Sequence, residues 1–143
     1  MAVMPIEWGK VREYARATGA DRPVYLDDPK APIPPTFLST VVYWTTIGRT
    51  LRAPEVAEAC AEAGIEPGYG TLLSLEQEYV FPGPPPRAGE SLYASERLRD
   101  VRVKQTRQGP MVMVRFVVSF HDDDGELRAE CLYTSAYLRK EKS

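Results

Sequence analysis

The sequence predicts an α+β protein in which helices occupy the first half and an antiparallel meander of strands the second. Three observations predict it. Apolar residues recur at helical spacing early in the chain, across residues 6–18. From residue 72 onward, runs rich in β-branched and aromatic residues are separated by Pro- and Gly-rich breaks. Helices precede strands rather than alternating with them, an order that packs helix on one face of a sheet. With 143 residues, 43% apolar and 27% charged, the chain fits one domain: a core over residues 6–138 and a polar tail over 139–143.

Over residues 6–18, Trp8, Val11, Tyr14 and Ala15 form one stripe, and Lys10, Arg12, Glu13 and Arg16 face the other way. Gly19 supplies the stop. Residues 20–35 form a loop in which Pro23, Pro29, Pro32, Pro34 and Pro35 forbid a continuous helix and resist a ladder strand. Loops this long in small domains are often functional. Residues 36–47 are nearly all apolar or hydroxylic and fit either a strand or a buried helix. Pro54 opens a helix that Gly64 closes. Strands follow over residues 72–81, 91–103, 111–120 and 126–138, with Asp122-Asp123-Asp124-Gly125 as a hairpin turn.

Composition excludes several classes. Eighteen basic against twenty acidic residues give a net charge of −2, without the large basic footprint of a nucleic-acid binder. No apolar run reaches the roughly 18 residues of a membrane span. The first five residues lack the pattern of a secretory signal, which leaves a reducing cytoplasm as the expected compartment. Cys60 and Cys131 have no metal spacing and read as buried small hydrophobes. The single histidine, His121, stands beside three consecutive aspartates whose side chains diverge; it reads as a hairpin residue rather than a base or metal ligand. No phosphate loop, metalloprotease helix or nucleophile elbow is present, and no metal or cofactor is expected.

The long loop reads Gly19-Ala20-Asp21-Arg22-Pro23-Val24-Tyr25-Leu26-Asp27-Asp28-Pro29. It resembles the hydratase loop of MaoC-like hot dog proteins, Gly-Asp-x-Asn-Pro-(Leu/Ile/Val)-His-x-Asp-Pro, whose Asp and His are the catalytic pair. Aligned on Gly19 and Pro23, Ala20 stands at the Asp position, Arg22 at the Asn position and Tyr25 at the His position. Pro34-Pro35-Thr36-Phe37-Leu38 is similar to the Pro-Pro-Thr-Phe signature of the FAS1-like dehydratase branch, and residues 73–81 to its Leu-His-Gly-Glu-Gln-Glu-Tyr/Phe strand, with Ser74 and Leu75 in place of His-Gly. Arg87-Ala88-Gly89-Glu90, Gly109-Pro110-Met111 and Asp124-Gly125-Glu126-Leu127 resemble later segments, so the likeness runs from residue 6 to about 138. The resemblance implies a hot dog fold, an antiparallel β-sheet wrapped around a central helix. It also implies a non-catalytic subunit like that of mycobacterial-type heterodimeric 3-hydroxyacyl dehydratases, paired with a MaoC-like partner that supplies Asp and His.

On that reading the substrate is a 3-hydroxyacyl or 2-enoyl thioester of coenzyme A or of a carrier protein, and no site residue in this chain is catalytic. Tyr25, Thr36, Phe37, Tyr43 and Arg87 are the candidate substrate-binding residues. Each has a plain alternative. Tyr25 either closes the acyl tunnel or caps its loop; Thr36 either offers its hydroxyl to a thioester carbonyl or caps a helix. Phe37, Tyr43 and Trp44 either line a groove or belong to the core. Arg22 and Arg87 either meet phosphates or are solvated, and one of Glu76 and Gln77 faces solvent if the strand alternates. Two further readings stand beside the first. One is a self-sufficient homodimeric dehydratase or thioesterase using Asp21, Asp27 or Asp28. The other is a non-enzymatic homodimer that binds acyl thioesters.

Overall fold

The computed structural model describes residues 1–140, so residues 141–143 of the expected tail at 139–143 lie outside the described residues. Its first element corrects the expected order of helices before strands. Ala2–Pro5 is a strand, β1, which pairs antiparallel with the later strand β3 (Ser91–Thr106), Ala2 opposite Ala94 and Pro5 opposite Ser91. Met4 is buried and Val3 is half-exposed, the in–out alternation of a strand. Four residues ending in proline are too few to show that period in a sequence, and proline is admissible because β1 lies at a sheet edge.

Helix α1 (Trp8–Ala17) buries Val11 and Ala15, one turn apart, and Gly19 follows it at φ 75°. Arg12 departs from the expected solvent-facing stripe: its guanidinium lies 4.8 Å from the centre of the Trp8 ring. The Pro- and Asp-rich loop contains a one-turn helix, α2 (Pro23–Leu26), with proline at its first position. The undecided segment is helical of the tighter kind, a 3-10 helix over Phe37–Tyr43 that buries Phe37, Leu38 and Val41. A second 3-10 turn covers Arg49–Arg52. Helix α3 (Pro54–Ala63) has its predicted bounds; Gly64 closes it at φ 70°, and Arg139 donates to the Ala63 carbonyl at 2.8 Å.

The remaining strands are β2 (Leu72–Val80), β4 (Gly109–His121) and β5 (Leu127–Leu138). The sheet order is β1-β3-β4-β5-β2, which corrects the four-strand meander: β2 pairs with β5 and not with β3. Pro82, Pro84, Pro85 and Pro86 lie between β2 and β3, where no tight hairpin forms. The meander is confined to β3, β4 and β5. At the β4–β5 turn the Asp122 carboxylate accepts from the amides of Asp124 and Glu126, both at 3.0 Å, and Gly125 takes φ 78°.

The chain divides into two compact units, through both of which β2 to β5 run. The first comprises Met1–Ile47, Tyr79–Ser95 and Ser119–Cys131. It contains α1, α2 and the first 3-10 helix, and it buries Ile6, Val11, Leu38, Leu92 and Phe120. The second comprises Gly48–Glu78, Glu96–Val118 and the chain from Leu132 onward. There Val56, Cys60 and Ile65 pack against Val112, Val114 and Tyr137, which sets α3 on β4 and β5. Both cysteines are free and buried, as expected. Among the described residues no helix is long and apolar enough to cross a membrane.

Candidate functional site

The loop over residues 19–29 folds as a turn, a one-turn helix and a second turn. The Ala20 amide donates to the Ala15 carbonyl at 2.8 Å, which fastens the loop to the end of α1. The Arg22 amide returns to Ala20 at 2.8 Å and the Tyr25 amide to Arg22 at 3.0 Å. Ala20, Arg22 and Tyr25 therefore lie on one tight stretch of backbone. Tyr25 is half-buried, Arg22 is exposed, and Asp21 and Asp27 are exposed. Asp28 accepts from the Lys30 amide at 2.9 Å, the local turn bond favoured by aspartate.

The far end of the loop is tied down. Pro32 bridges to Arg87, the Ile33 amide donates to the Pro86 carbonyl, and the Ala88 amide donates to Ala31. The Arg87 guanidinium donates to the Lys30 carbonyl at 2.9 Å, and the Arg87 amide donates to Glu90. In this chain Arg87 is a strap across the loop.

Two phenols hold the segment that follows. Tyr14 of α1 hydrogen-bonds the Thr36 hydroxyl at 2.6 Å and donates to the Thr36 carbonyl at 3.0 Å. Thr36 stands at the N-cap of the 3-10 helix but makes no side-chain cap bond, because its hydroxyl is turned to Tyr14. Phe37 is buried and meets Tyr14 edge-on, ring centres 5.5 Å apart. The second phenol is Tyr79 of β2, which hydrogen-bonds Ser39 and Cys131. Thr36, Phe37, Ser39, Tyr14 and Tyr79 thus form one hydroxyl-rich cluster. Tyr43 and Trp44, at the end of the same segment, are 84% and 43% exposed.

Tyr79 and Ser39 were not among the candidates read from the sequence. The available signal was alternation along β2, which puts Tyr79 and Glu78 on opposite faces. Burial pushes the Tyr79 phenol well above the ordinary tyrosine range, and the Cys131 thiol adds to the shift. The sign of the pH dependence follows. As pH rises past the ordinary tyrosine value of 10.0, the unfolded chain loses this proton first, so stability is present below that pH and declines above it. Tyr79→Phe is expected to shallow that decline without abolishing it, because burial also raises Tyr137. Urea unfolding at stepped pH from neutral to alkaline checks this; an unchanged slope contradicts it.

His121 ends β4, half-buried. Among the described residues no three His, Cys, Asp or Glu side chains come together as a metal group.

The fold is similar to those of MaoC-like dehydratases. A protein described as a MaoC-like dehydratase matches with a TM-score of 0.72 at 23% identity, over 96% of this chain and 40% of that one. The ChsH1-ChsH2 complex from Mycobacterium tuberculosis matches at TM-score 0.67 and 20% identity, over 98% of this chain and 82% of the other. The HadBC complex from the same organism, a 3R-hydroxyacyl-ACP dehydratase, matches at 0.63 and 22%, over 94% and 89%. No curated protein sequence matches significantly. The α+β architecture is thus a hot dog fold, a five-stranded antiparallel sheet with helices. The family described as FAS1-like, dehydratase domain region, matches residues 2–130, and the chain belongs to that family.

Proposed function

We propose that this chain is the non-catalytic, substrate-binding subunit of a heteromeric (R)-specific 3-hydroxyacyl-thioester dehydratase or enoyl-thioester hydratase. It acts in the cytoplasm beside a MaoC-like partner subunit that supplies the Asp/His pair. The observation that carries the reading is the loop over residues 19–29: its family is a dehydratase family, yet Ala20 and Tyr25 stand where a carboxylate and an imidazole are needed. Adding water to an enoyl thioester takes a base for the water and an acid for the α-carbon. Alanine moves no proton, and a phenol with an ordinary pKa of about 10 is a poor base at neutral pH. Two further observations support the reading. Strand β2 lies at a sheet edge with Leu73 and Leu75 about half exposed, an open ladder that a second sheet would cover. Two of the similar structures are complexes of named pairs, HadBC and ChsH1-ChsH2. Under this reading Tyr25 closes the end of the acyl pocket, Thr36 and Phe37 line it, Tyr43 is covered by the partner and Arg87 holds the loop in place.

The test is hydration of crotonyl-coenzyme A by the purified chain, alone and co-expressed with a MaoC-like protein. No turnover alone and turnover by the co-purified complex is the expected result. Turnover by the chain alone that disappears in Asp21→Ala overturns the reading, and so does separate elution of the two proteins with activity unchanged.

A further inference from the structure

The loop that joins α3 to β2 belongs to the second unit, whereas the loop over residues 19–29 belongs to the first. With the end of β5 it encloses an open cavity of about 370 Å³, within the size range of small-molecule sites. Its walls include Gly64, Glu66, Gly68, Gly70, Arg139 and Lys140. Two cations thus stand against one carboxylate, in a chain whose net charge is −2.

Hydrogen bonds fix this loop and use up its acceptors. The Thr71 hydroxyl donates to the Glu66 carbonyl at 2.8 Å, with the Gly68 carbonyl 3.1 Å away. The Thr71 amide donates to Gly68 at 3.2 Å, and the Leu138 amide of β5 donates to Thr71 at 2.9 Å. At the end of α3 the Gly64 amide returns to Ala61, the Ile65 amide to Cys60, and Arg139 covers Ala63. Three of the last four helical carbonyls are therefore occupied, which weakens the negative pole that would repel an anion.

Donors remain. The amides of Gly68, Tyr69 and Gly70 have no acceptor among the described residues. Arg139 places one nitrogen, Nη2, on Ala63 and keeps the other guanidinium N–H groups at the cavity wall; Lys140 makes no ion pair among the described residues. Glycine permits this approach, since a Cβ at Gly64 would come within 3.0 Å of Arg139 Nη2. At Gly68 and Gly70 a Cβ would meet nothing within 4 Å, so open space begins at the backbone itself.

This excess of donors selects the occupant. A guanidinium, an ammonium and free amides can share the several acceptor oxygens of one phosphate, and a carboxylate offers only two. A metal cation would meet two like charges and a single carboxylate, and a nucleic acid needs a longer row of cations than two. We propose that the α3–β2 loop, with Arg139 and Lys140, is a binding site for a phosphate group, free or carried on a small molecule. The site rests on none of the thioester chemistry proposed above.

NMR titration of the isotope-labelled full chain with inorganic phosphate, with AMP and with adenosine tests it. Phosphate and AMP are expected to shift the amides of Gly68, Tyr69 and Gly70 saturably, and adenosine to leave them in place. Equal affinity for phosphate and AMP identifies the free anion as sufficient; tighter AMP binding identifies an organic phosphate. Lys140→Glu is expected to weaken either about ten-fold or more, and Lys140→Gln by less. Arg16→Glu, in the first unit, leaves binding unchanged. Lys140 is exposed, and a thermal melt confirms that both variants fold. Unshifted loop amides with both phosphate and AMP, undiminished affinity in a folded Lys140→Glu variant, or adenosine binding as tightly as AMP overturns the proposal.

Discussion

Phe120→Ala is expected to lower stability by about 3–5 kcal/mol. Phe120 is fully buried on β4, which has β3 on one side and β5 on the other. Neighbours in a close-packed sheet core cannot collapse far into the space the ring leaves, so the cost combines lost transfer energy and a residual cavity. For a chain of this size each kcal/mol moves the melting temperature by roughly 2–4 °C, so the fall is on the order of 10 °C. Phe120→Leu, which keeps most of the volume, should cost about 1.5 kcal/mol or less. Thermal and urea unfolding measure both. An alanine variant within about 1 kcal/mol of the parent contradicts the burial assigned to this ring.

The second large effect is expected at Glu96, in the other unit. Its carboxylate accepts from the Gly48 amide at 2.8 Å, the Thr50 amide at 2.8 Å and the Thr50 hydroxyl at 2.6 Å. One side chain on β3 therefore fixes the turn before α3, where Gly48 sits at φ 96°. Hydrogen bonds to a charged group contribute more than neutral ones, and Glu96→Ala strands three donors at once, for an expected loss of about 2–4 kcal/mol. Glu96→Gln also weakens the turn, because an amide NH2 replaces one of the two accepting oxygens. Hydrogen exchange at Gly48 and Thr50 gives a local readout. Both amides should exchange faster in the alanine variant while Val112 and Val114, in the α3-packed core, stay protected; unchanged exchange refutes the assignment.

How much of this was legible from residues alone varied with the range of the interactions. Helix α3 was legible to the residue because proline, an alanine-rich run and a terminal glycine are local signals. The strands β3, β4 and β5 were legible for the same reason, through runs bounded by Gly and Asp turns. Strand β1 was not, because its pairing with Ala94 and Tyr93 is a long-range fact that Ala2 and Val3 do not encode. The place of β2 beside β5 was missed because neighbours in sequence were taken as neighbours in the sheet. The 3-10 helix was ambiguous because Phe37, Leu38 and Val41 fit both periods. In the candidate site the loop was found from its motif, but the partners of Thr36 were not, since Tyr14 lies 22 residues away.

Sheet order has a consequence for how the chain is born. As synthesis proceeds, β1 leaves the ribosome long before Ser91–Thr106, and β2 before Leu127–Leu138, so both edge strands emerge without the neighbours they will bond. Leu73 and Leu75 are then bare on a nascent strand whose neighbour in the sheet, β5, is translated only after β3 and β4. The polypeptide is most vulnerable to aggregation in that interval, when a chaperone or a co-translating companion would have the greatest influence on its yield.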